Sequence, residues 1–460
     1  MTRTVAVIDL GKTNSKVALV DTVSAVELVV LTQPALNRVD TRYPSLNHEA
    51  IGTFIIESLR ALSSDYTIDA ITVTTHGATV ALIDSTGQLV LPVLDYEFQG
   101  VDGIRDRYNE VRPPFSETGS PALPGGLNIG AQLYWQQTTY PESFASVTTI
   151  LTWPQYWVYL LSGEKHNEAS SLGAHSDLYN PKLKCYSTLV QSQNWTSLLP
   201  PTQLPGSLCG TLEPAIAQQT DLPETTTVHT GIHDSNASLV PHLLNNDDPF
   251  TVVSTGTWFI IMAIGSSSVE LDELRDTLLN VNAFGDSVPS ARFMGGRERD
   301  LLSIPTGANE ASMDALLDDT DNPPMLMPSV VSGTGPFPRS ETQWIGRELD
   351  EEDTLRTCTV SLYLALMTNE CMQLIGSQGP IYVEGPLAHD LHYAQMLSVV
   401  SQRKVMVSDA QTGTSIGAAM LIAKPHTPPA YKTVEIATER ASSMKRYAER
   451  WQKSLRDHSI

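Results

Sequence analysis

The chain has 460 residues, of which 41% are hydrophobic and 17% charged, and its formal net charge is −22. A chain of this length buries more than one core, so we expect two globular lobes. Acidic residues are spread along the sequence and no basic stripe is present, which argues against nucleic acid as a partner. No apolar run is long enough to span a bilayer and no secretion signal precedes the first strand, so we expect a cytoplasmic protein without a membrane partner. The cysteines lie far apart, which argues against a zinc site or a disulfide framework.

The first predicted element is a hairpin with a polar tip. Two apolar runs, 4–10 and 14–20, flank a short turn. The polar residues at this turn are Asp9, Gly11, Lys12, Thr13 and Asn14. Glycine lets the backbone approach an anion closely, and successive amides together with threonine hydroxyls form a donor surface. The tip is therefore predicted to bind phosphate.

The rest of the first lobe alternates strands and helices. Periodicity predicts strands at 26–32, 71–74, 80–83 and 89–94, and helices at 48–62, 130–137 and 150–161. Segments 112–126 and 197–225 are rich in Pro and Gly and are predicted to be loops. This order describes a mixed sheet covered by helices.

A second hairpin of similar composition follows the sequence Gly231-Ile232-His233-Asp234. Its strands flank a tip formed by Thr255, Gly256 and Thr257. Two matched tips that face each other would hold the phosphates of a nucleotide from both sides. They also indicate a weak internal repeat, as in a chain built from duplicated halves.

The second lobe continues with the same alternation. Helices are predicted at 354–374, 388–401 and 415–422, and strands at 381–383 and 404–407. We therefore expect an N-terminal lobe over 1–230, a C-terminal lobe over 231–430 and a charged helical tail over 431–460.

Two better-known phosphate loops do not fit the first hairpin. Gly11-Lys12-Thr13 ends like a P-loop, but Ala6 stands where the first glycine is needed and no long helix follows. No Gly-x-Gly-x-x-Gly follows the strand, which argues against a dinucleotide site. An ordinary surface turn explains one such hairpin equally well, whereas two matched copies favour nucleotide binding.

These motifs together resemble the FGGY carbohydrate kinases, over roughly residues 4–425. The matching segments are Asp9-x-Gly11-x-Thr13-Asn14, Thr75-His76-Gly77, Trp153-Pro154-Gln155-Tyr156, Gly231-Ile232-His233-Asp234, Ser254-Thr255-Gly256-Thr257, Gly385 and Gly413-Thr414-x-x-Gly417-Ala418-Ala419. The resemblance implies the two-lobed α/β fold of the actin and Hsp70 ATPases, which is ribonuclease H-like, with a cleft between the lobes. It implies ATP, Mg²⁺ and a small-molecule sugar as ligands, and it is compatible with a homodimer.

The resemblance also implies roles for single residues. Asp234 is the expected catalytic base, and a helix N-cap is the structural alternative for it. Asp9 is expected to organise Mg²⁺, chiefly through water, and a strand-end turn is the alternative. The expected phosphate and adenosine contacts are Gly11, Lys12, Thr13, Asn14, Thr255, Gly256, Thr257, Gly385 and Gly413. Lys16 is expected to be a solvated surface residue and Trp258 a core residue.

Sugar recognition is expected from residues that follow strands in the first lobe and from the catalytic motif. The expected substrate-binding residues are His76, Gly77, Asp95, Glu97 and His233. A buried structural histidine is the alternative for His76, and the sequence leaves open whether Asp95 or Glu97 faces the sugar. Gly295-Gly296-Arg297-Glu298 follows a strand, and a surface salt bridge is the simpler expectation for it.

The expected activity is therefore ATP-dependent phosphorylation of a terminal hydroxyl on a ketose or related polyol of the L-fuculose, L-rhamnulose or xylulose type. Two alternatives remain open. One is a nucleotide-dependent binding protein of the actin and Hsp70 kind, with ATPase activity that does not depend on sugar. The other is a sugar-binding regulator without catalysis.

Overall fold

The computed structural model describes residues 3–35, 37–38, 41–247, 249–266, 269–302, 309–408, 413–424 and 431–457. The chain divides into two units, each built from separate stretches of sequence. Unit 1 contains Met1–Asn245, Leu279–Ser287 and Thr412–Pro428, and unit 2 contains Asn246–Leu278, Val288–Gln411 and Pro429–Ile460.

Unit 1 is a mixed α/β unit. Its strands are β1 Thr4–Leu10, β2 Asn14–Asp21, β3 Val26–Pro34, β4 Asn37–Arg38, β5 Ser45–Leu46, β6 Ala70–Thr75, β7 Val80–Ile83, β8 Thr149–Thr152, β9 Asn167–Glu168, β10 Tyr179–Asn180, β11 Cys185–Tyr186, β12 Thr202–Gln203, β13 Leu208–Thr211, β14 Thr227–His229 and β15 Ile232–His233. Its first helices are α1 His48–Asp65, α2 Arg105–Asn109, α3 Phe115–Thr118, α4 Ile129–Thr139, α5 Pro141–Phe144, α6 Trp153–Ser162, α7 Ala169–Leu172, α8 Thr188–Ser192, α9 Pro214–Thr220 and α10 Asp234–Asn245.

The main sheet of unit 1 has the strand order β13-β14-β6-β1-β2-β3, and β15 also pairs with β6. Strands β1 and β2 form the antiparallel hairpin that the sequence predicts, whereas β6 runs parallel to β1. One face of the sheet packs against apolar residues of α1, α6 and α9, and the other against α10 and a later helix. Both faces are covered, which explains why β1 contains the apolar run Val5–Ile8 and why every residue of β6 is buried.

The chain then forms most of unit 2. The remaining strands are β16 Phe250–Thr255, β17 Phe259–Ile264, β18 Thr277–Val281, β19 Ser287–Phe293, β20 Met325–Met327, β21 Gln343–Ile345, β22 Ile381–Glu384, β23 Val405–Val407 and β24 Lys432–Thr433. The remaining helices are α11 Gly295–Leu301, α12 Glu310–Asp318, α13 Thr354–Leu374, α14 Leu391–Ser401, α15 Thr414–Met420 and α16 Thr438–Asp457. The second main sheet has the order β18-β19-β17-β16-β22-β23-β24.

The units differ from the lobes expected from the sequence. The boundary was expected near residue 230, but α10 belongs to unit 1, and so does α15 from the far end of the chain. The two helices pack closely because residue 417 is glycine, and a Cβ there would overlap the carbonyl oxygen of Ala237. The motif at 231–234 and the segment 413–419 therefore lie in unit 1.

The expected helical tail is part of unit 2. In α16 the apolar face buries Met444, Tyr447, Trp451 and Leu455 in the same core as α13 and α14. The expected boundary before the tail falls at residues 425–430, which lie outside the described residues.

Several local predictions were wrong. The segment 112–126, expected as a loop, contains α3, and the segment 197–225, also expected as a loop, contains β12, β13 and α9. The segment expected as a helix over 150–161 is strand β8 followed by α6, because Pro154 lies in the first turn of α6 and favours a helix start there. The segment 89–94 makes isolated bridges with Ile83 and Ser45 instead of a strand. In the part of the chain that the structure describes, no helix combines the length and apolar character needed to cross a membrane.

Candidate active site

Three strands of unit 1 end at one edge of the main sheet. Strands β1, β6 and β15 are parallel, and the register pairs Thr74 with both Asp9 and Ile232. Because parallel strands share the position of their carboxyl ends, the segments that follow them meet there. The hairpin tip, the His76-Gly77 pair and Asp234 are therefore brought together at this edge.

The hairpin tip in unit 1 has free amide donors. The Gly11 amide donates to the carbonyl of Asn14 at 3.0 Å and closes the turn. Within the described residues, the amides of Lys12 and Thr13 have no intramolecular acceptor, and Thr13 and Asn14 are exposed. The turn can thus present backbone donors to an anion.

Asp9 is half-buried, with 13% of its side chain exposed, and it contacts several polar groups. Its Oδ2 accepts a hydrogen bond from the Thr414 hydroxyl and lies 3.4 Å from Lys16 Nζ. Burial raises the pKa of Asp9, while Thr414 and Lys16 oppose the rise. Lys16 is not the solvated residue expected, because its Nζ also lies 3.0 Å from Glu27. Thr414 is a site residue whose role the sequence did not predict.

Lys12 pairs with the carboxylates of Asp95 and Glu97 instead of lying free beside the hairpin tip. Its Nζ pairs with Asp95 and lies 3.2 Å from Glu97, 4.5 Å from the centre of the Tyr96 ring. Asp95 also accepts hydrogen bonds from Asn37 Nδ2 at 2.5 Å and from the Glu97 amide at 3.0 Å. The Asp95 side chain is only 7% exposed, whereas that of Glu97 is 67% exposed. Asp95 is therefore satisfied internally, and Glu97 is the carboxylate that remains accessible.

Asp234 is the first residue of α10, and one of its carboxylate oxygens takes all of its contacts. Oδ1 accepts from the Ser235 amide at 2.6 Å and the Ser235 hydroxyl at 3.3 Å, and it lies 3.3 Å from His233 Nε2. An N-cap bonds amides two or three residues on, which is not the pattern here. Among the described residues, Oδ2 has no hydrogen-bond partner. Burial raises the pKa of Asp234.

Gly231 and Gly77 allow this motif to pack tightly. A Cβ on Gly231 would lie 2.6 Å from the Val73 carbonyl, and a Cβ on Gly77 would lie 2.9 Å from His233 Nε2. The Gly231 amide donates to Gln155 of α6 at 3.3 Å, which connects the Trp-Pro-Gln-Tyr segment to the motif at 231–234. Both glycines are thus required by close approach.

His76 lies at the end of β6 and is nearly buried. Its Nδ1 is 3.0 Å from the Gly77 carbonyl, and its ring meets the Tyr96 ring edge-on with centres 5.4 Å apart. Burial lowers the pKa of His76, which favours a neutral ring. Tyr96 therefore contacts both His76 and Lys12, and no local pattern in the sequence predicts these contacts.

The hairpin in unit 2 presents a second set of donors. The Gly256 amide donates to the Trp258 carbonyl at 3.2 Å, and the amides of Thr257 and Trp258 have no acceptor among the described residues. Gly256 and Thr257 are exposed, but Thr255 is buried. The Thr255 hydroxyl donates to the Glu384 carbonyl at 2.5 Å and accepts from the Leu387 amide. The Thr255 hydroxyl proton is therefore used within the protein and is not free to donate to a phosphate.

Gly385 lies beside this hairpin. It follows β22, which is parallel to β16, and it has a φ of 82°. A Cβ at this position would lie 2.8 Å from the Thr255 carbonyl. The positive φ and the close approach both require glycine.

The segment at 295–298 reaches the same tip. A Cβ on Gly296 would overlap the Gly256 carbonyl, so α11 begins directly against the turn. The expected surface salt bridge was wrong for Glu298, which is buried and accepts from Tyr363 at 3.0 Å and from the Val331 amide at 3.3 Å. Trp258 is half-buried under the Arg292 guanidinium at 4.7 Å, not in the core as expected.

The donor set fits a magnesium ion that keeps most of its water. Across the described residues, no group of three or more His, Cys, Asp or Glu side chains is arranged to hold a metal. Asp9 supplies one half-buried carboxylate beside free backbone donors, and Mg²⁺ commonly takes one or two carboxylates together with substrate phosphates.

Comparison with known proteins identifies the family. The model for the FGGY family of carbohydrate kinases, N-terminal domain, matches residues 4–241, and that for carbohydrate kinase FGGY, C-terminal domain, matches residues 247–430. The chain belongs to the FGGY family of carbohydrate kinases.

Individual relatives agree with this family. The crystal structure of a carbohydrate kinase from Novosphingobium aromaticivorans is 34% identical, with each chain fully covered and a TM-score of 0.92. An L-fuculokinase from Salmonella typhi is 24% identical over 56% of each chain. A rhamnulokinase from Enterococcus faecalis is 26% identical over 41% of this chain and 37% of its own. The matches thus span about half, or less, of these two curated relatives. The FGGY fold, of the actin and Hsp70 type expected from the sequence, is confirmed.

Proposed function

We propose that this FGGY protein is an ATP-dependent kinase that phosphorylates a terminal hydroxyl of a ketose or related polyol. The observation that carries the proposal is the Asp234 carboxylate, which lies at the same sheet edge as the Asp9 hairpin and keeps Oδ2 without a partner. Names of the two curated relatives favour L-fuculose or L-rhamnulose as acceptors, and xylulose is a third candidate.

Asp234 is the base in this proposal. A substrate hydroxyl that donates to Oδ2 is oriented toward the phosphoryl group, and its proton passes to the carboxylate as the new P–O bond forms. Burial raises the pKa of Asp234, which makes the carboxylate a stronger base than an exposed aspartate.

Backbone amides hold the phosphates. Lys12 is neutralised by Asp95 and Glu97, so in unit 1 the proposed phosphate donors are the free amides of the hairpin tip and the Thr13 hydroxyl. In unit 2 the proposed donors are the free amides of its own hairpin tip and the Thr257 hydroxyl. Bound Mg²⁺, organised by Asp9, would neutralise charge on the phosphates. Gly385 and Gly413 remain the proposed contacts on the adenosine side.

The acceptor side is formed by neutral and acidic groups. His76 supplies a ring nitrogen near the base, whereas both ring nitrogens of His233 face protein groups and the His233 ring packs against Gly77. Of the two acidic candidates, Glu97 is accessible and Asp95 holds Lys12 in place. This arrangement favours a neutral polyol over a sugar acid, because the acidic side chains would repel the carboxylate of the sugar acid.

The test is ADP formation by the full chain with a panel of ketoses, polyols and one sugar acid. We expect ADP release that depends on a neutral ketose and requires Mg²⁺. Hydrolysis without any sugar would instead support a nucleotide-dependent binding protein, and ketose binding without ADP would support a regulator.

Replacing the base tests the mechanism directly. We expect Asp234→Asn to lower kcat by about 10²- to 10⁴-fold while ATP affinity stays near that of the wild type, because the amide cannot accept the proton. Asp106→Asn, on the exposed side of α2, makes the same change elsewhere and should leave kcat unaltered. Near-normal turnover of Asp234→Asn would remove this residue from the mechanism.

A further inference from the structure

The ring of His233 is held between Asp234 and Asn236. His233 Nε2 lies 3.3 Å from Asp234 Oδ1, and His233 Nδ1 lies 3.2 Å from Asn236 Nδ2. His233 and Asn236 are both buried, and the His233 amide donates to the Ser170 hydroxyl at 3.2 Å. The backbone and the ring of His233 are therefore both fixed immediately before α10 begins.

These partners determine which ring nitrogen carries the proton. The Asn236 amide nitrogen can only donate, so Nδ1 accepts from it with a lone pair and carries no proton. In the neutral ring the proton is therefore on Nε2, which lies 3.3 Å from Asp234 Oδ1. Burial lowers the pKa of His233 to about 4, so the ring is neutral near neutral pH.

The tautomer of His233 affects the orientation of the Asp234 carboxylate. Both donors of Ser235 bind Oδ1 and the protonated Nε2 of His233 faces the same oxygen at 3.3 Å, which orients the carboxylate and leaves Oδ2 for the substrate. Gly77 closes the other side of Nε2, because any larger residue would displace the ring. Removing the donor at Nδ1 would free the ring to adopt the other tautomer, with a lone pair facing Asp234.

We propose that Asn236 is a positioning residue that sets the tautomer of His233 and, through it, the orientation of the Asp234 carboxylate. The kinetic part of this inference rests on the proposed kinase function, whereas the hydrogen-bond arrangement does not. Asn236 does not touch the substrate in this proposal.

The test replaces Asn236 by a residue of the same shape that can only accept. In Asn236→Asp we expect His233 Nδ1 to become protonated, which the ¹⁵N chemical shifts of the imidazole report without any need for activity. Either Nε2 then loses its proton, or the ring becomes charged and lowers the basicity of Asp234, so kcat should fall about 10- to 100-fold with the KM for ATP within about twofold.

A matched control and a second variant make the result unambiguous. Asn245→Asp makes the same change at the far end of α10, where the side chain donates to the Pro241 carbonyl, and it should preserve the His233 shifts and kcat. Asn236→Ala keeps helix propensity and removes the donor, so it should give mixed tautomers and a smaller loss of kcat.

Unchanged imidazole shifts in both Asn236 variants would overturn the proposal, whatever the activity. Shifts that change while kcat does not would show that the tautomer has no bearing on the base. If the wild type shows no kinase activity at all, the proposed function fails, yet the imidazole shifts still decide whether Asn236 sets the tautomer.

Discussion

At the scale of single residues, Lys12 shows how a tertiary contact redirects a side chain. Its place at the hairpin tip predicts a phosphate contact, but the side chain pairs with Asp95 and Glu97. These two residues lie about 80 positions away in sequence, so the local pattern around the hairpin does not predict the pairing. The backbone of this segment is available to an anion in the way that the sequence predicts, because turn geometry is local.

Buried histidines give the stability of the chain a defined pH dependence. Burial lowers the pKa of both His166 and His233 from 6.5 to about 4. As the pH falls from about 6.5 toward about 4, these residues take up protons in the unfolded chain but not in the folded one, so each lowers the free energy of unfolding.

His166 allows this to be measured away from the candidate active site. We expect the free energy of unfolding of His166→Asn to fall less steeply than that of the wild type over this pH range, by up to about 1.4 kcal/mol per pH unit. Urea unfolding at several pH values gives the two slopes. Parallel slopes would show that His166 is protonated equally in both states.

At the scale of elements, the two hairpins and most helices follow from sequence because their signals are local. Helix α13 and strand β22 occur almost where periodicity predicts them. The sequence does not predict that α10 and α15 both belong to unit 1, because this depends on which helix and sheet faces pack together. A single glycine, Gly417, allows the close approach of these helices.

This packing predicts the effect of one methyl group. We expect Gly417→Ala to destabilise the protein by about 1–3 kcal/mol, because the added Cβ overlaps the Ala237 carbonyl and forces α15 away from α10. The midpoint of urea unfolding measures the change. Gly103→Ala, where the added Cβ meets nothing within 4 Å, is the control and should leave the midpoint almost unchanged.

A stable Gly417→Ala variant would mean that the two helices adjust without cost. Displacement of α15 would also move Thr414 away from Asp9, so the same variant should raise the KM for ATP if Asp9 has its proposed role.

At the scale of the whole molecule, the net charge of −22 opposes the approach of an anionic nucleotide. Salt screens this repulsion, since the Debye length falls from about 20 Å to about 8 Å between about 20 and 150 mM ionic strength. We therefore expect the KM for ATP to fall about two- to threefold over this range.

The neutral acceptor provides an internal control for that measurement. Its KM should not depend on salt, because no net charge is involved. A KM for ATP that rises with salt would show that local cations outweigh the overall charge at the nucleotide site.

The sequence by itself determined the family, the two hairpins and the candidate base, because each depends on short segments with fixed spacing. Only the tertiary structure decided that Asp9, His76 and Asp234 share one sheet edge, that Lys12 is paired with Asp95, and that Asn236 reaches His233. These contacts depend on strand register and on the packing of residues distant in sequence, which composition and periodicity do not encode.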